Sequence, residues 1–158
     1  MSTQIGKQLK QKLAGASGQE HTSVDASGGG VSVAVDVERC ERYAVGVEGV
    51  RIRPDTPVEN VGEAAERIAR NVDVIDPLRV VEYEASTEEA ILRSAEPAAD
   101  EGGVTYWEAN VKPDETTLHR FHKAHDEPDR RVVVEPMTHG EAGAVVEQIA
   151  DALKGDPA

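Results

Sequence analysis

Val31-Ser32-Val33-Ala34-Val35-Asp36-Val37-Glu38 is the stretch on which the fold class turns. Valine at every second position, set against small or acidic residues, is a period of two. Successive side chains of a strand point to opposite faces, so one face here is built for burial and the other for solvent. After a charged turn over 38–42 the alternation resumes with Tyr43, Val45 and Val47, slips by one at Glu48-Gly49, and continues with Val50 and Ile52. A slip of one residue moves side chains to the other face, so Gly49 marks a tight hairpin or a bulge. We read a hairpin, giving three strands before Pro54, with one bulged strand as the alternative.

Downstream the period lengthens. Thr56-Pro57-Val58-Glu59 has the spacing of a capping box with proline at the first helical position, and Val58, Val61, Ala65, Ile68 and Val72 share one helical face. This predicts a helix over 57–72. Strand patterns return over 78–85, 90–95 and 105–112, the last with Thr105, Trp107, Ala109 and Val111 alternating against Tyr106, Glu108 and Asn110. Residues 116–123 carry both helical and strand signals. Turn-forming residues on either side at hairpin spacing decide for a strand, and 131–135 completes the sheet. Thr138-His139-Gly140-Glu141 repeats the capping-box spacing, and Val145, Val146, Ile149 and Leu153 form the apolar stripe of a last helix.

Upstream of Val31, Ile5, Leu9 and Leu13 recur every fourth residue between lysines, which predicts a basic amphipathic helix over 1–13. Residues 14–30 are dominated by Gly, Ser and Ala and read as a flexible linker. The expected organisation is thus helix 1–13, linker 14–30, a domain over 31–154 and a tail over 155–158. The fold class is α+β: a largely antiparallel sheet in the order α-βββ-α-β(4–5)-α.

The chain has 158 residues, enough for one ordinary domain with a real core. Its 17 Lys and Arg stand against 30 Asp and Glu, a net charge of −13 that repels phosphate backbones. Three Tyr, one Trp and one Phe leave few platforms for stacking on bases, so nucleic acid is not expected as a partner. No run approaches the ~20 apolar residues of a membrane span, and the lysine-bearing N-terminus lacks the apolar segment of a signal peptide. The single Cys40 cannot form an internal disulfide, which favours a reducing, cytoplasmic setting.

Signatures of chemistry are sparse. There is no nucleophile elbow, no phosphate-cradling glycine loop and no zinc-binding His-Glu-x-x-His, and Gly28-Gly29-Gly30 precedes a strand instead of following one. His119, His122 and His125 are the one candidate metal set. On a strand His119 and His125 face one way and His122 the other, so we expect a polar strand and no metal site. Cys40 reads as an incidental turn residue between two Arg and two Glu. No catalytic residue and no cofactor are assigned.

Element order, size and acidity resemble the class I type III secretion chaperones and their structural relatives. That resemblance implies a homodimer without catalytic activity that holds an extended segment of a partner protein. The expected function is therefore a protein-binding module, with a ligand-sensing module second and an enzyme third. The residues expected to bind a partner or second subunit are Ile5, Leu9 and Leu13 on the first helix. Ala64, Ala65 and Ala69 on the second, where small side chains allow close approach, are the other set.

Overall fold

The valines that alternate along 31–37 face one way and are buried, while Ser32, Ala34 and Asp36 point to the other side. They belong to a ten-stranded sheet whose pairings are all antiparallel. The computed structural model describes residues 2–155. In chain order the elements are α1 (Ile5–Gly15), β1 (Glu20–Gly28), β2 (Val31–Cys40), β3 (Ala44–Pro54), α2 (Val61–Asn71), β4 (Leu78–Glu84), β5 (Glu89–Ser94), β6 (Ala98–Ala99), β7 (Gly103–Val111), β8 (Thr116–Ala124), β9 (Arg131–Val133), β10 (Glu135–Thr138) and α3 (His139–Lys154). The fold is α+β, with one helix, three strands, a second helix, further strands and a last helix. The main path across the sheet runs β1-β2-β3-β8-β7-β5-β4. The three short strands lie off that path: β6 on β7, β9 on β8 and β10 on β3.

The three helices among the described residues lie on one face of the sheet. Packing places α1 against α3 and β1, α3 against β3, and α2 against α3, β4 and β5. Between the layers lie the inward valines of β2 and β3, Leu92, Trp107, Ala109 and Leu118 from the far half of the sheet, and the apolar stripes of the helices. No helix among the described residues is long and apolar enough to cross a membrane.

Three expectations need correction. First, residues 14–30 are not a linker: they hold the end of α1, a turn and β1, which pairs with β2 from Glu20↔Arg39 to Gly28↔Val31. Val24 and Ala26 are buried beneath the helix layer, and the glycines at 28–30 make the hairpin turn, all three with positive φ. The folded body therefore includes α1 and β1 and does not begin at Val31. Met1 and residues 156–158 of the expected helix and tail lie outside the described residues.

Second, Gly49 marks a bulge and not a hairpin. Asp36 faces Gly49 while Val37 faces Val47, so Glu48 is the extra residue and β3 runs on as one strand. Third, α2 begins at Val61, not near Pro57. Asn60 caps it, its side chain accepting the Glu63 N–H at 3.0 Å. Val58 is drawn out of the helix because its N–H donates to the Pro113 carbonyl at 2.8 Å. The capping box at α3 is as expected, with Thr138 and Glu141 bonded reciprocally.

α1 is held by its contact with α3. Its own N-cap, Gln4, supplies no side-chain bond, so the first-turn amides need other acceptors. The Ile5 N–H donates to Thr3 Oγ1 at 3.4 Å, and α3 supplies the rest of the anchor: Glu147 accepts the Gly6 N–H at 3.2 Å, and Asp151 accepts the Thr3 N–H at 2.6 Å just ahead of the helix. Such proximity requires glycine at the crossing. A Cβ on Gly143 would lie 2.5 Å from the Gly6 carbonyl oxygen, with backbone and not a yielding side chain in the way. Alanine is normally better than glycine within a helix by ~1 kcal/mol. At Gly143 the sign should reverse: Gly143→Ala is expected to destabilise the domain by about 1–3 kcal/mol through overpacking. Gly15→Ala, which meets nothing within 4 Å, should be neutral or stabilising in the same denaturation experiment.

Candidate functional site

With the helices on one side, the other face of the sheet is open and carries the polar half of each alternation. Its centre is Glu108 on β7, buried although charged. Cross-strand register sets it between Arg93 on β5 and His119 on β8. Arg93 Nε donates to Glu108 Oε1 at 2.8 Å. Arg130, from the segment after β8, grips both carboxylate oxygens at 2.8 Å and also donates to the Tyr106 hydroxyl at 3.1 Å. Its guanidinium sits 3.8 Å from the centre of the Phe121 ring. A bidentate guanidinium stacked on an aromatic ring is a geometry lysine cannot reproduce.

Burial works against ionisation of Glu108, but the hydrogen bonds and charges of Arg130 and Arg93 together outweigh it and hold the carboxyl below its ordinary value. Glu108 is thus a saturated anion that straps the 125–130 segment to the sheet, and it is not poised as a base. His119 lies over Gly49, where a Cβ would come within 2.7 Å of its Nε2. Burial lowers the His119 pKa, only partly offset by the carboxylates of Asp36 and Glu108.

A second polar cluster lies on the helix side. Arg120 stacks 5.3 Å from the Trp107 ring centre and pairs with Glu135 at 3.1 Å and Asp76 at 3.7 Å. It borders a cleft of about 400 Å³ between the 73–77 segment, β8 and β10. Burial pushes the Glu135 carboxyl up, Arg120 opposes this, and Asp76 and Glu141 add to it. Glu135 is therefore the carboxylate of this cleft with enhanced affinity for a proton.

The remaining candidate surface is an edge. At the far end α1 packs against β1, and Gln8 Oε1 accepts the Ser27 N–H at 2.8 Å. The gap between β3 and β8 is filled by β9 and β10. β4 ends the sheet with β5 on one side, and among the described residues no backbone hydrogen bond from another element reaches it. Val81 forms a bulge there, and it and Tyr83 are among the exposed large apolar residues.

The residues expected to bind a partner lie elsewhere. Ile5, Leu9 and Leu13 are fully buried against the body of their own chain, as are Ala64 and Ala65, and Ala69 packs against the same core. The stripe that is too short to stand alone is satisfied internally. His119 and His122 occupy opposite faces, His122 Nδ1 pairing with Thr105 Oγ1 at 2.9 Å, and His125 lies beyond the end of β8. Among the described residues no three His, Cys, Asp or Glu side chains converge as metal ligands. Cys40 is not a turn residue: it ends β2, buried, and its thiol donates to the Leu13 carbonyl at 3.1 Å with His139 Nε2 3.9 Å away. Burial raises the thiol pKa, the reverse of what a nucleophile needs.

Arg93, Glu108 and Arg130 escaped the sequence reading because three separate segments supply them. The one local sign was an acidic residue on the face opposite Trp107. No family model, no curated protein and no solved structure matches this chain.

The pH response of the open face follows from these directions. His119 has a folded pKa below its ordinary 6.5, so the unfolded chain binds the proton first as pH falls. Stability should be full above that value and decline below it, through the depressed folded pKa. His119→Gln should flatten this part of a pH–stability curve. Glu108, also depressed, contributes stability above its ordinary 4.5 that is lost as pH falls through its folded value. Glu108→Gln should cost about 2 kcal/mol at neutral pH, measured by urea denaturation, and remove that acid limb.

Proposed function

We propose that this chain is a non-enzymatic protein-binding module that takes an extended segment of a partner protein as an added strand on β4. The observation that carries the reading is the outer edge of β4, which receives no backbone hydrogen bond from another element among the described residues, whereas at the other end of the sheet α1 packs against β1 and Gln8 accepts the Ser27 N–H. Such an edge offers a row of main-chain donors and acceptors, and strand addition uses them for affinity while side-chain positions set specificity. Glu82 and Glu84 on the strand, within a chain of net charge −13, favour a basic segment and speed its encounter. The buried Cys40 thiol and the saturated Glu108 support a role without catalysis. The element order is in keeping with a chaperone-like holder, and the lone cysteine with the reducing cytoplasm.

A second reading has its own observation. A two-fold axis between Val81 and Glu82 would pair β4 antiparallel with a second copy, Arg79 opposite Glu84 and Val80 opposite Tyr83, the bulge at Val81 keeping like face to like face. The same edge would then be the two-fold interface of a homodimer.

Light scattering on gel filtration separates the two, since the monomer is 16.9 kDa. For the first reading, a peptide of alternating valine and lysine should perturb the amide signals of 78–84 in a monomer. Val81→Pro, at the bulge, should abolish that response with little loss of melting temperature. A peptide that binds Val81→Pro equally well, or perturbs another surface, would contradict it.

A further inference from the structure

At the end of the sheet remote from β4, a groove of about 650 Å³ opens on the polar face of β1, β2 and β3. That volume lies within the range of small-molecule sites. Register builds it. Ser27, Ser32 and Arg53 form one row across the three strands, and Asp25, Ala34 and Arg51 form the next. Small side chains on β1 and β2 leave a trough, and the two long arginines on β3 make its wall. Gln8 and Lys12 of α1 line the opposite rim.

The chemistry of that lining differs from the rest of the molecule. Lys12, Arg51 and Arg53 bring three cations into the groove against the single carboxylate of Asp25, in a chain of net charge −13. Asp36 accepts from Arg51 Nη2 at 3.0 Å and Glu115 from Arg53 Nε at 2.7 Å. Each partner engages one donor of a guanidinium fork and leaves the others for a further oxyanion. Among the described residues Arg51 Nε is buried without an acceptor. Asp25 accepts the Ser23 hydroxyl at 3.1 Å and retains lone pairs for other hydroxyl donors.

We propose that this groove binds a small hydroxylated anion, a sugar phosphate or a sugar acid, with the oxyanion on Arg51, Arg53 and Lys12 and its hydroxyls on Asp25 and the groove serines. The carboxylate of Asp25 selects against a ligand that is anionic throughout and favours one that is anionic at one end. The site is independent of the β4 edge, so either can fail without the other.

The test is a titration of the full chain, followed by amide chemical shifts, with a glucose monophosphate, glucuronate, glucose and inorganic phosphate in parallel. The glucose monophosphate, glucuronate or both should shift the signals of 23–27, 32–34 and 51–53 saturably, and the tighter of the two shows whether the oxyanion is phosphate or carboxylate. Glucose and inorganic phosphate, each lacking one half of the recognition, should bind at least about tenfold more weakly. The double variant Arg51→Gln/Arg53→Gln should weaken the preferred anion by about tenfold or more. Lys12→Gln, on the exposed side of α1, should weaken it by a few-fold with an unchanged melting temperature, which guards against a folding defect in the double variant. Failure of both sugar anions to shift the groove signals would overturn the proposal. So would affinity unchanged in both variants, or glucose or inorganic phosphate binding as tightly as the sugar anions.

Discussion

Backbone contact between Gly6 and Gly143 is the constraint on which the rest of the architecture depends. Because no Cβ stands between them, α1 can lie against α3 closely enough for Glu147 to accept a first-turn amide and for Asp151 to hold the Thr3 N–H just ahead of the helix. Docked in this way, α1 buries Ile5, Leu9 and Leu13, accepts the Cys40 thiol at its C-terminal end and bonds the Ser27 amide of β1 through Gln8. Three helices then suffice to cover one face of the sheet, and nothing of the helical layer is left for the other. The polar face is left open, and the outer edge of β4 is left without a backbone partner among the described residues.

A second feature shapes the polar face. β3 pairs with β8 only over Val50–Ile52, and beyond that the two strands part. The bulge at Glu48-Gly49 lies at the fork, where the absence of a side chain on Gly49 makes room for the His119 ring. The segment 131–138 fills the opening with β9 on β8 and β10 on β3. Val134 packs so closely against Gly46 that a Cβ there would meet it at 2.9 Å. The widening brings Arg130 back over the sheet onto Phe121 and Glu108, which ties the last connection to its centre.

Much of this was legible where one physical signal dominated. The valines of β2, the capping box of α3 and the strand character of 116–123 were read from period and turn chemistry alone. β1 was missed because its inward residues are only Val24 and Ala26, and an alternation carried by alanine among serines and glycines looks like a linker. The start of α2 was misplaced because two capping spacings overlap, Thr56 to Glu59 and Asn60 to Glu63. The bond from Val58 to Pro113, 55 residues along the chain, selects the second. Burial of the α1 stripe on its own chain depended on a long-range contact between two glycines, which no local pattern announces. The Glu108 cluster is likewise a product of strand register, invisible before the strands are aligned.

α1 packed on β1 anchors one end of a single sheet, and the outer edge of β4 lies open at the other. Amide hydrogen exchange of the full chain tests it most directly. The ladder amides of β1 over 20–28 should exchange on the same slow timescale as those of β2. The β4 amides that do not bond to β5 should exchange orders of magnitude faster. Fast, linker-like exchange over 20–28, or uniform protection on both sides of β4, would contradict it.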